Sequence, residues 1–97
     1  MIAFRYLAQF LKTKRLEEGL TQAEVADAIG GIHSQFVSNW ERGVSSPPGY
    51  CIQKLIEVLH LNREELVRAM LQDSKAVIEA KVYPKKAKAR QKTSKRG

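Results

Sequence analysis

Apolar residues recur at helical spacing along most of the chain, and glycine, proline or a capping residue interrupts each run. The pattern predicts five helices, with a proline-containing loop from Val44 to Gly49 between the third and the fourth. The predicted helices extend from Ala3 to Glu18, from the Thr21 cap to the Gly30 stop, from His33 or Ser34 to the Gly43 stop, from Tyr50 to Leu59, and from Asn62 to about Gln72. This order of elements indicates a small all-α domain.

The second and third predicted helices form a pair joined by a glycine turn. Thr21 is an N-cap candidate with Glu24 three residues further on, which is the spacing of a capping box. The glycines at 30–31 end the second helix, since glycine readily adopts the positive-φ geometry of helix ends. Val37 and Trp40 are the inward pair of the third helix, so polar side chains remain on its outer face. Such a pair is typical of proteins that present a helix end to a DNA groove.

The segment from Ser74 to Tyr83 is compatible with two structures. Its apolar residues fit either the continuation of a helix or a strand, and Pro84 ends either one. The chain is therefore divided into a helical domain over 1–73, an extension over 74–84 that offers a dimer or partner contact, and a basic tail over 85–97.

Positive charge is concentrated in that tail. The net charge is +7, and residues 1–84 contain ten basic and ten acidic residues, which leaves them with none of the excess. The tail has no acidic residue and seven basic ones: Lys85, Lys86, Lys88, Arg90, Lys92, Lys95 and Arg96. Its composition predicts disorder in isolation. Clustered cations favour contact with a polyanion, most simply nucleic acid, over a merely solubilising end.

Other function classes find little support in the sequence. Cys51 is the single cysteine, which excludes an internal disulfide and suits a reducing cytoplasm. His33, His60 and Cys51 lack the spacing of a metal site, so we expect neither a metal nor another cofactor. No catalytic motif is evident, and we expect no enzyme activity. No apolar run is long enough for a membrane span.

Several spaced motifs together resemble the Cro and lambda-repressor-like (XRE-type) helix-turn-helix domains. The resemblance covers roughly residues 5 to 72 and implies a five-helix DNA-binding fold. The turn differs from the commonest form by one additional residue, Gly31, which leaves the first residue of the reading helix open. The matching pieces are Lys12 to Arg15, Gly19 to Gln22, Val25-Ala26, Ile29-Gly30, Val37 to Gly43, Pro47, and Leu55 to Leu59.

The third helix is the expected base-reading element. Amides and hydroxyls can read base edges in the major groove, and an aromatic ring can contact a thymine methyl group. The alternatives are a solvated helix face and, for Phe36, a position in the core. The candidates for base readout are Ser34, Gln35, Phe36, Ser38 and Asn39.

The resemblance also implies supporting residues. Gln22 occupies a family position that usually contacts a phosphate, and Arg15 and Glu41 occupy two that commonly form a partly buried ion pair. His33 is either a contact to a phosphate or a base, or a turn residue. The full set of phosphate candidates is Gln22, His33, Arg42, Ser45 and Ser46.

These features predict a cytoplasmic, nucleoid-associated transcriptional regulator, a repressor that binds a palindromic operator in double-stranded DNA as a homodimer. An apolar patch around Leu66, Met70, Val77 and Ile78 is the candidate interface. Two alternatives stay open. One is an antitoxin-like protein that binds a partner protein through 74–84 and regulates its own promoter. The other is a non-specific DNA-coating protein that depends on the tail.

Overall fold

The computed structural model describes residues 3–84, and it contains five α-helices and no strand within that range. The helices are α1 (Arg5–Glu17), α2 (Gln22–Ala28), α3 (Ser34–Glu41), α4 (Gly49–Leu59) and α5 (Arg63–Val82). The predicted all-α architecture is therefore confirmed. None of these five helices is both long and apolar enough to cross a membrane. The basic tail, 85–97, for which disorder was predicted, lies outside the described residues.

The core is a single apolar cluster to which every helix contributes. Val25 and Ile29 from the α2 region meet Val37 and Trp40 of α3, and Leu55 joins them from α4. Each of these side chains is at most 6% exposed. Such burial stabilises by roughly 1.5–3 kcal/mol for each large aliphatic side chain. The core therefore holds α2 and α3 in a fixed relation, with α1, α4 and α5 behind them.

The fifth helix is longer than its apolar pattern alone predicted. Helical structure continues without a break through the segment that was compatible with helix or strand, and it ends at Val82. The N-terminus is capped by Asn62, whose side chain accepts the N–H of Glu65 at 2.9 Å. Leu66 is 4% exposed and belongs to the core, so its assignment to a surface patch was wrong. It faces inward because it lies on the stripe of α5 that packs against the other helices.

The first helix begins two residues later than predicted, and its N-terminus is capped from α5. Phe4 is the N-cap residue and makes no side-chain capping bond of its own. Instead, the Asp73 carboxylate accepts the N–H groups of Tyr6 at 2.7 Å and Leu7 at 2.9 Å. Asp73 is 5% exposed. A buried carboxylate here satisfies two donors that the first turn of a helix cannot satisfy internally, and its charge is favourable at that helix end. This contact ties the two terminal helices together.

Candidate DNA-binding surface

The turn between α2 and α3 determines where α3 begins. Thr21 and Glu24 form the predicted capping box of α2. Gly30 and Gly31 both have positive φ, at 129° and 74°, which a residue with a Cβ rarely adopts. His33 is then the N-cap of α3, and its Nδ1 accepts the N–H of Gln35 at 3.0 Å. The additional glycine therefore belongs to the turn, and Ser34 is the first residue of α3.

The two faces of α3 differ sharply. Val37 and Trp40 are each 3% exposed and pack into the core. Phe36 is 54% exposed, so it does not occupy the core position considered for it. Gln35 is exposed as well, whereas the other three base-readout candidates are half-buried: Ser34, Ser38 and Asn39. The five candidates thus share one helix, with a large aromatic ring among short polar side chains.

Two amides and a guanidinium form a chain of hydrogen bonds along α3. Gln35 Nε2 donates to Asn39 Oδ1 at 3.0 Å, and Arg42 Nη2 donates to the same oxygen at 2.6 Å. This network was not predicted from the sequence. The signal was present, because residues three and four apart are neighbours on a helix and glutamine and asparagine pair at that spacing.

A second network connects α1, α2 and α3. Arg15 Nε donates to Glu41 Oε2 at 2.6 Å, and its Nη2 donates to Glu41 Oε1 at 3.0 Å. Arg15 Nη1 also donates to the Leu20 carbonyl at 2.7 Å. The side chains of Arg15 and Glu41 are only 10% and 4% exposed. The hydrogen bond to Glu41 raises the pKa of Arg15 above its ordinary value, although burial opposes that rise. One charged guanidinium therefore holds the end of α3 against α1 and the turn before α2.

Gln22 joins this second network. Its Nε2 donates to Glu41 Oε1 at 3.0 Å. An amide nitrogen carries two protons, so one N–H remains for another acceptor. The capping box uses the backbone N–H groups of Thr21 and Glu24, and the first turn of a helix has others with no intrahelical acceptor. The start of α2 therefore retains donors suited to a phosphate.

The remaining phosphate candidates are less uniform. His33 uses Nδ1 to cap α3, which leaves Nε2 as its other polar atom. Ser45 and Ser46 are half-buried in the loop between α3 and α4. Arg42 is exposed. It is also the only lysine or arginine between residues 16 and 53, so this part of the surface carries little positive charge.

Residues 3–84 contain no group of three histidine, cysteine or acidic side chains that could hold a metal ion. Cys51 is buried in the core and is 2% exposed, as expected for a small apolar residue. The outer face of α3 presents hydrogen-bond donors, hydrogen-bond acceptors and one aromatic ring. Such groups are typical of a surface that contacts nucleic acid.

Fold and surface together define a DNA-binding helix-turn-helix protein. The helix-turn-helix family model HTH_3 matches residues 11–66, more than half of the chain, so the protein belongs to this family, as its resemblance to the XRE-type domains predicted. Searches of curated proteins and of solved structures found no match. Membership identifies a DNA-binding transcription regulator, in a family that is typically non-enzymatic. The match ends within α5, so the rest of that helix lies beyond it.

Proposed function

We propose that the protein is a sequence-specific transcriptional repressor that inserts α3 into the major groove of its operator. The observation that carries this proposal is the outer face of α3, where Gln35, Phe36 and Asn39 stand on a helix whose other face is locked in the core. An amide pairs with base edges and an aromatic ring contacts a thymine methyl group. Repression is the simplest outcome, because occupancy alone blocks access to a promoter. Such a repressor acts in the cytoplasm, at the nucleoid.

The backbone contacts proposed around α3 determine its position on the duplex. Gln22 and the helix start behind it would hold one phosphate, and Arg42 with Ser45 and Ser46 would hold others beyond the far end of α3. His33 has only Nε2 left for such a contact. Because residues 1–84 have no net charge, we assign the long-range attraction to DNA to the seven cations of the tail.

Selection from a random DNA library tests the readout. Gln35→Ala should weaken operator binding by about 1–3 kcal/mol and remove the preference at one base position. Gln72→Ala is the matched control, because it deletes the same exposed amide from α5. An unchanged base preference in a folded Gln35→Ala protein contradicts the proposal. Equal affinity of the unaltered protein for all sequences would instead support a DNA-coating role.

A homodimer is the second part of the proposal. Phe4, Met70, Val77 and Ile78 line an apolar groove of about 420 Å³ between the start of α1 and the second half of α5. Ile78 is 58% exposed, and this stretch of α5 lies beyond the family match. A single module of this kind covers little DNA, whereas two copies cover enough for high specificity. We therefore assign the groove to a second copy of the chain.

Charge placed in the groove tests this assignment. With Ile78→Asp, the number of protein chains bound to one operator should fall from two to one, as measured by sedimentation of the protein–DNA complex. Val67→Asp is the control, since Val67 is similarly exposed, at 53%, on α5 outside the groove. An intact two-to-one complex with Ile78→Asp rejects the interface. The antitoxin-like alternative predicts that Ile78→Asp keeps the two-to-one complex with DNA but no longer binds a separate partner protein.

A further inference from the structure

The hydrogen bonds between Gln35, Asn39 and Arg42 fix the orientation of the two amides on α3. Arginine has five N–H donors and no acceptor. The Asn39 atom that lies 2.6 Å from Arg42 Nη2 must therefore be the carbonyl oxygen. Since that oxygen is an acceptor, the Gln35 atom 3.0 Å from it must be the amide nitrogen. The guanidinium of Arg42 thus sets the orientation of both amides, which would otherwise be free to turn over.

The fixed orientations leave the two amides with different groups for DNA. Asn39 Oδ1 already accepts two hydrogen bonds, so its Nδ2 donors are what it can offer. Gln35 keeps its carbonyl oxygen and the second N–H of Nε2. Adenine presents a donor at N6 and an acceptor at N7, whereas guanine presents two acceptors and thymine one acceptor beside its methyl group.

We propose that Arg42 is a positioning residue for specificity: it orients Gln35 to read adenine in a bidentate manner, and it restricts Asn39 to donating, and so to bases that present an acceptor in the major groove, which excludes cytosine. This inference rests on the proposed readout by α3 and adds the base identities and the residue that selects them. Arg42 acts through the two amides and needs no contact with a base. Its remaining N–H groups stay available for a phosphate.

Library selection with three variants tests the inference. Gln35→Ala first locates the base position that Gln35 reads, and that position should be adenine in the unaltered protein. Arg42→Met removes the donor, so the adenine preference there should fall at least about 5-fold, the lower end of what one bidentate pair contributes. Asn39→Asp keeps an acceptor for Gln35 and Arg42, so it should preserve the adenine preference and lose only the preference assigned to Asn39.

The outcomes separate this inference from the readout on which it rests. If Arg42 made a phosphate contact alone, Arg42→Met would weaken DNA binding equally on all sequences. It would also lower the slope of log affinity against log salt concentration by about one. If Arg42→Met shows only that uniform loss, Arg42 is a phosphate contact and the positioning role is overturned while readout by Gln35 stands. If Gln35→Ala changes no base preference, the readout itself fails. Thermal melting of each variant verifies that the fold is intact.

Discussion

The ion pair between Arg15 and Glu41 offers the sharpest test of how α3 is held against the other helices. Breaking a buried pair by removing one partner costs about 3–5 kcal/mol, against less than about 1 kcal/mol for an exposed pair. The side chains are 10% and 4% exposed, and two N–H groups of Arg15 engage the two carboxylate oxygens, at 2.6 and 3.0 Å. These values place the pair at the buried extreme.

The two single substitutions should differ in size. Glu41→Met leaves the guanidinium buried with the Leu20 carbonyl as an acceptor, and we expect a loss of about 3 kcal/mol in the free energy of unfolding. Arg15→Met leaves the Glu41 carboxylate buried with the neutral Gln22 amide as its donor, and it also removes the donor to Leu20, so its loss should be larger, nearer about 5 kcal/mol. For a domain of this size, about 3 kcal/mol corresponds to a fall of roughly 12 °C or more in Tm.

A double-mutant cycle isolates the interaction. The double variant with Arg15→Met and Glu41→Met leaves no unpaired charge. Its loss in the free energy of unfolding should therefore be smaller than the sum of the two single losses, by about 2–3 kcal/mol. Urea unfolding can be followed by the fluorescence of Trp40, the single tryptophan, which is 3% exposed. The pair of Lys75 and Glu79 is the control, because its charges are 4.0 Å apart, its side chains are 72% and 56% exposed, and its coupling should be only about 0.3–0.5 kcal/mol.

Additivity is the result that would refute this reasoning. If the single losses for Arg15 and Glu41 sum to the double loss within about 0.5 kcal/mol, the two groups do not act as a unit. The same conclusion follows if their cycle gives no more coupling than the cycle for Lys75 and Glu79.

Three further predictions concern other parts of the molecule. Asp73→Ala should destabilise the fold by at least about 1.5–3 kcal/mol in urea unfolding, because it leaves two N–H groups of α1 without an acceptor, whereas Asp27→Ala, at an exposed site, should have little effect. Deletion of 85–97 should reduce the magnitude of the slope of log affinity against log salt concentration by up to about six, on operator and random DNA alike. An unchanged slope would make the tail a solubilising segment. The operator should be an inverted repeat with half-site centres about 34 Å apart, or a multiple of that, and footprinting of a single asymmetric site would contradict the dimer.

The sequence predicted those parts of the fold that depend on local spacing. The capping box of Thr21 and Glu24 and the inward pair of Val37 and Trp40 follow from intervals of three residues, and the structure confirms them. Asp73 was not foreseen, because its partners are 66 and 67 residues away and nothing near it in the chain distinguishes it from a solvated acid. The α5 extension stayed ambiguous because a short apolar run fits either helical or strand periodicity.

The proposed base-reading residues illustrate a different limit of prediction from the sequence. Spacing placed Gln35 and Asn39 on one exposed helix, and the structure has them there. Spacing alone assigns each amide a donor and an acceptor, and an amide free to turn over offers DNA both orientations. Only the distances to Arg42 and between the amides decide which groups remain for a base.

On the proposed function, affinity and specificity are carried by different parts of this chain. The reading surface between residues 16 and 53 has a single lysine or arginine, and that residue already bonds to Asn39. Its contacts are therefore directional hydrogen bonds, which discriminate between bases but add little attraction at a distance. The seven tail cations have the opposite property, since the attraction between cations and phosphates does not depend on the base sequence. On this division the ratio between operator and random DNA belongs to α3 and its supports, Arg42 and the Arg15–Glu41 pair, while the tail raises both affinities together.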